Sequence, residues 1–170
     1  EKKEEPKAAQ RGRAAAQYGR LKELQDMLDG GELDVNDRDD EGCTLLQWAA
    51  INNRGAVLEL LFARGADAKA TGGLLEENAL QWAVRLGHVS AIVALREHGA
   101  PPEHRGVEGG NAVHLACRFG RHLALAYLLA RDEVDHPRAN ERLAPRKGSL
   151  SRKRNVTTRR HESSSSALGV

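Results

Sequence analysis

Small and large apolar residues recur along this chain in one fixed order, four times over. Each copy centres on a short break: Gly19 in QYGR, Asn53 in INNR, Gly87 in RLGH and Gly120 in RFGR, at spacings of 34, 34 and 33 residues. Short residues stand three and four positions before each break, as Ala15 and Ala16, Ala49 and Ala50, Ala83 and Val84, Ala116 and Cys117. Large apolar residues follow five positions later (Leu24, Leu58, Ile92, Leu125) and three positions beyond those (Met27, Leu61, Leu95, Leu128). Positions three or four apart share one face of a helix, so the pattern predicts a short helix before each break and a second one after it. A period of this size predicts a solenoid of helix pairs stacked side by side.

The polar positions mark the ends of the same helices. Thr44, Asn78 and Asn111 stand where each first helix begins, and their side-chain oxygens suit an N-terminal cap. Gly31, Gly65 and Gly99 stand where each second helix ends, with Asp132 in the fourth copy. At the breaks themselves a left-handed backbone is called for, which three glycines and Asn53 tolerate. The pattern spans residues 14–136. Residues 1–13 form a charged, mostly unpatterned segment, and residues 137–170 hold nine Lys or Arg against two Glu, with a run of four Ser. That composition predicts a disordered basic tail.

The quoted motifs resemble ankyrin repeats. The family's Thr-Pro-Leu-His start appears as TLLQ at Thr44, NALQ at Asn78 and NAVH at Asn111; its Gly-Ala-Asp appears as GAD at Gly65 and GAP at Gly99. The resemblance implies an all-α ankyrin-repeat solenoid of about four repeats, with Gln47 and Gln81 in the place of the motif histidine. A narrower resemblance, carried by TLLQWAAINNR, Gly72 and Gly73, ALQWAVRLGHVS and AVHLACRFGRHLALAYLLA, is to the ankyrin domain of DHHC-type palmitoyltransferases of the huntingtin-interacting class. In that class the array recruits substrate proteins for a separate membrane domain, of which nothing is matched in these residues.

Both tryptophans, Trp48 and Trp82, fall at the same place in their repeats. Their column reads Ala14, Trp48, Trp82, Leu115, and the column one turn further reads Tyr18, Asn52, Leu86, Phe119. Four of the six aromatic residues lie in these columns. The resemblance puts this face on the concave side of the stack, so the expected partner-binding residues are Trp48, Asn52, Trp82, Leu86, Leu115 and Phe119. Two of them, Asn52 and Trp82, match the subfamily's peptide-contacting Asn and Trp. Tryptophans that only cover packing between first helices are the alternative left open by the sequence.

Composition narrows the chemistry. The net charge of +2 divides into +7 for residues 137–170 and −5 for the rest, so the basic pI of about 8.7 belongs to the tail. Nucleic acid is not the expected partner, because no aromatic follows Tyr127 to offer a stacking platform; a basic-tailed nuclear or RNA-associated adaptor is the outlying alternative. Cys43 and Cys117 are 74 residues apart, which gives no disulfide framework and no zinc spacing. His114 and Cys117 lie three apart on one helix, yet no third ligand accompanies them, and no catalytic residue, metal, cofactor or small-molecule substrate is implied. Ser149 and Thr157 follow basic residues and are candidates for phosphorylation. The expectation is therefore a cytoplasmic monomer that binds an extended protein segment. The rival reading is the recruiting fragment of an ankyrin-repeat protein S-palmitoyltransferase, on the cytosolic face of the Golgi or another endomembrane, reaching the membrane only through a missing domain.

Overall fold

The computed structural model describes residues 7–135, with side chains described for 8–131. Among the described residues eight helices pair in chain order: α1 (Lys7–Tyr18) with α2 (Leu21–Asp29), α3 (Leu45–Ile51) with α4 (Gly55–Ala63), α5 (Ala79–Leu86) with α6 (Val89–Glu97), and α7 (Ala112–Arg118) with α8 (His122–Asp135). The first helices pack in a row, α1 to α3 to α5 to α7, and the second helices form a parallel row behind them. Two helix boundaries differ from the sequence reading. Helix α8 runs past Asp132 to Asp135. Helix α1 begins at Lys7, inside the segment expected to be unpatterned, and Gly12 is buried there against Leu33.

The predicted periodicity is the core. Ala15, Ala16, Ala49, Ala50, Ala83, Val84 and Ala116 let the first helices approach closely, and Leu24, Leu58, Leu61, Ile92 and Leu95 fill the space between the two rows. Each of these large side chains is fully buried, so truncating one to Ala costs about 2 to 5 kcal/mol. Asn53 and Gly87 take the left-handed conformation at their turns (φ 54° and 78°), as the sequence requires. Asn53 is exposed at its turn and reached by the Ser90 hydroxyl at 2.9 Å.

The helix starts are capped by the expected residues. Thr44 and Asn78 accept from the backbone N–H of Gln47 and Gln81, and those glutamines return the bond to the cap residue's own N–H. Asn111 accepts from the His114 N–H. The glutamines then reach into the next repeat. Gln47 Nε2 donates to the carbonyl of Glu77 (2.6 Å), and Gln81 Nε2 donates to the carbonyls of His104 and Gly110 (3.1 Å each). The glutamines in the place of the motif histidine thus tie each first helix to the loop that follows.

The connections between pairs contain the only strands among the described residues. Strands β1 (Thr71–Gly72) and β2 (Glu77–Asn78) pair antiparallel, with Thr71 opposite Asn78, and an isolated bridge between Arg38 and Thr44 occupies the same place one repeat earlier. These loops touch closely: a β-carbon at Gly72 would lie 2.0 Å from the Gly42 carbonyl oxygen, so only glycine fits. At the opposite edge, Arg54 Nε donates to the Gln17 carbonyl and Arg121 Nε to the Arg85 carbonyl, both at 3.0 Å. His88 does the same in the middle repeat through Nδ1, 3.1 Å from the Ala50 carbonyl, which places its proton on that nitrogen. At every junction a side chain therefore ties the turn to the one before it.

Candidate functional site

The two predicted columns run along the exposed side of the first helices, and their members have different fates. Trp48 is half-buried against the core, its indole nitrogen donating to Asp39 Oδ2 at 2.7 Å. The Arg13 guanidinium lies 5.5 Å from the ring and 3.6 Å from the same carboxylate. Trp82 is also half-buried, but among the described residues its indole nitrogen has no hydrogen-bond partner. The reason is legible by register: the position of Asp39 is occupied one repeat later by Gly73, which has no side chain to accept the bond. The two tryptophans of one motif thus differ in how they are held, the first fastened to its loop and the second unfastened.

Leu115 corrects the expected site. It continues the tryptophan column but is only 1 % exposed and belongs to the core. Leucine is short enough to sink between neighbouring helices, and the loop closes over it: a β-carbon at Gly110 would lie 3.7 Å from Leu115 Cδ2. A buried side chain offers a partner nothing to grip. In the second column Tyr18 and Leu86 are exposed (59 % and 38 %), while Asn52 and Phe119 are half-buried at the ends of α3 and α7. Asn52 turns its amide onto its own helix, where Nδ2 donates to the Trp48 carbonyl at 2.9 Å; among the described residues its Oδ1 has no partner.

Between Trp82 and Phe119 lies a residue that the sequence did not single out. The Arg85 guanidinium carbon is 4.6 Å from the Phe119 ring centre and 5.8 Å from that of Trp82. Its Nη2 and Nε donate to the two oxygens of Glu77 at 2.5 and 3.2 Å, and Nη2 also reaches Glu108 at 3.2 Å. The pair raises the Arg85 pKa above its ordinary value, chiefly through the Glu77 hydrogen bond, against the opposing effect of burial and with help from Glu108. Glu108 also accepts from Arg118 at 2.7 Å. The signal available in the sequence was the three-residue spacing of Trp82 and Arg85, which puts them on one helix face.

The other candidate chemistry does not converge. His114 and Cys117 are both exposed, and His114 Nδ1 is engaged by Asn111 Oδ1 at 2.5 Å. Cys43 is buried, and its thiol is pushed up to about 11 by that burial and by the Asp39 and Glu41 carboxylates. Among the described residues no group of three or more His, Cys, Asp or Glu is placed to hold a metal ion, and no helix is long and apolar enough to cross a membrane. Ser149 and Thr157 lie outside the described residues.

Comparison with known proteins agrees with the repeat. The family model described as "Ankyrin repeats (many copies)" matches residues 13–62 and 80–130. Similar proteins include a ZDHHC13 protein of Danio rerio, 39 % identical over 127 residues (74 % of this chain, 20 % of the relative). Palmitoyltransferase Hip14 of Drosophila melanogaster is 42 % identical over 101 residues (59 % and 16 %), and Palmitoyltransferase AKR1 of Lachancea kluyveri 35 % over 117 (68 % and 16 %). The chain thus spans a fifth or less of the length of these relatives, and what matches is the ankyrin-repeat region. With the helix pairs, the caps and the family match on the same residues, the chain belongs to the ankyrin-repeat family.

Proposed function

We propose that this chain is a protein-interaction module that holds an extended segment of a partner protein along its first helices. One observation carries the reading: on the outer side of the first helices Tyr18, Trp48, Trp82, Leu86 and Phe119 remain accessible, while Ala49, Ala50, Ala83 and Ala116 of the same helices are buried. Exposed apolar residues collected on one face are what a binding surface offers. Asn52 supplies an amide at the edge of this face, with Oδ1 available to a peptide N–H. Trp48 contributes mainly by supporting the loop at Asp39. The partner is a protein, recruited in the cytosol by a monomer, and two unpaired cysteines suit that reducing compartment.

The names of the relatives extend the reading: the module recruits substrates for protein palmitoylation and does not itself transfer the acyl group. The test is selection from a displayed library of extended peptides rich in Pro and β-branched residues, followed by titration of the selected peptide. Binding that weakens on Asn52→Ala without a change in melting supports the groove. Selection of peptides whose binding ignores Asn52, Trp82 and Phe119 contradicts it.

A further inference from the structure

Resting on this reading and deepening it, we propose that Arg85 is the positioning residue of the groove: its guanidinium, held by Glu77 and Glu108, fixes the Trp82 and Phe119 rings in the orientation a partner meets. Trp82 needs such a device because its indole nitrogen, unlike that of Trp48, is not fastened by a carboxylate. The guanidinium supplies the restraint from the side, lying between a ring of the third repeat and a ring of the fourth.

Three features make Arg85 rigid enough for this. Glu77 is 2 % exposed at the start of β2, so its carboxylate is a fixed anchor for the two-pronged contact. Glu108, from the loop before α7, holds Arg85 on the side of the next repeat and is itself held by Arg118. Arg118 in turn lies 5.8 Å from the Phe119 ring, closing a cluster of two arginines, two carboxylates and two aromatic rings. A planar fork that pairs with carboxylates while lying near aromatic rings is arginine chemistry, which a lysine ammonium does not reproduce. The device is not a general part of the repeat, because the position of Arg85 is Gln17 in the first repeat and Ile51 in the second.

The experiment compares the parent chain with Arg85→Lys, Arg85→Ala and Glu108→Gln. Acrylamide quenching and fluorescence anisotropy of Trp82 are obtained by difference from Trp82→Phe, a readout that needs no partner. Arg85→Lys is expected to keep the melting curve yet make Trp82 more quenchable and less anisotropic, with Glu108→Gln between it and the parent. Unchanged quenching in Arg85→Lys overturns the proposal, and this holds even if Arg85→Ala fails to fold. The selected peptide is then titrated against the same variants. Its affinity is expected to fall about tenfold in Arg85→Lys, as loss of preorganisation lowers affinity. Unchanged affinity there, in a chain whose binding is abolished by Trp82→Ala, overturns the positioning role and leaves the groove standing. Absence of any peptide bound by the parent defeats the groove reading itself, and the quenching result alone then decides whether Arg85 holds the rings.

Discussion

The Trp48 indole nitrogen lies 2.7 Å from Asp39 Oδ2, and the matching bond one repeat later is missing because Gly73 stands where Asp39 does. A bond between a neutral donor and a largely buried carboxylate contributes more than an ordinary one, whereas a buried N–H without an acceptor costs its desolvation. Trp48→Phe is therefore expected to destabilise the fold by about 1 to 3 kcal/mol, and Trp82→Phe to leave it unchanged or raise its stability. Urea denaturation of the two variants checks this, and equal losses would contradict the asymmetry.

The inter-repeat amides give a second contrast. Gln81 accepts from the N–H of the capping Asn78 and donates to two carbonyls of the following loop while fully buried, so Gln81→Ala should cost about 2 to 4 kcal/mol through a broken capping box and orphaned carbonyls. His114, at the same register position, is exposed, and His114→Ala should stay within about 0.5 kcal/mol. Chemical denaturation separates the two; similar costs would mean that His114 is covered.

The caps and turns of the helices were legible in the sequence because they follow from local rules. Thr44, Asn78 and Asn111 cap, and Asn53 and Gly87 turn, for reasons contained in a few adjacent residues. Periodicity gave the face of Leu115 but not its depth, since depth depends on side-chain size and on the loop at Gly110. The place of Arg85 on the Trp82 face was legible from its spacing, but its partners were not. They are 8 and 23 residues away, in β2 and in the loop before α7, and only the packing of one repeat on the next brings Glu77 and Glu108 to the same guanidinium.

The cysteines make a chemical prediction. At pH 8 Cys117 should be alkylated readily and Cys43 slowly, since Cys43 is buried and its thiol titrates near 11. A thiol raised from 9.0 to about 11 on folding leaves the native state favoured below pH 9. As the pH rises from there toward 11, the unfolded chain loses the proton first and stability falls, by about 1.4 kcal/mol per pH unit at most. A Cys43→Ser variant with the same alkaline decline would show that another group is responsible.

The central claim is that the accessible ring of Trp82 grips a partner, and one variant measured in two ways tests it most directly. Binding of the selected peptide to Trp82→Ala, followed by calorimetry, is expected to weaken by about 2 kcal/mol or more, as at a hot spot. The melting transition of the same variant is expected to move far less than the loss of about 3 to 5 kcal/mol that truncating a core tryptophan brings. A Trp82→Ala chain that unfolds by that amount while its folded fraction binds the peptide as tightly as the parent would contradict the claim and make Trp82 a packing residue.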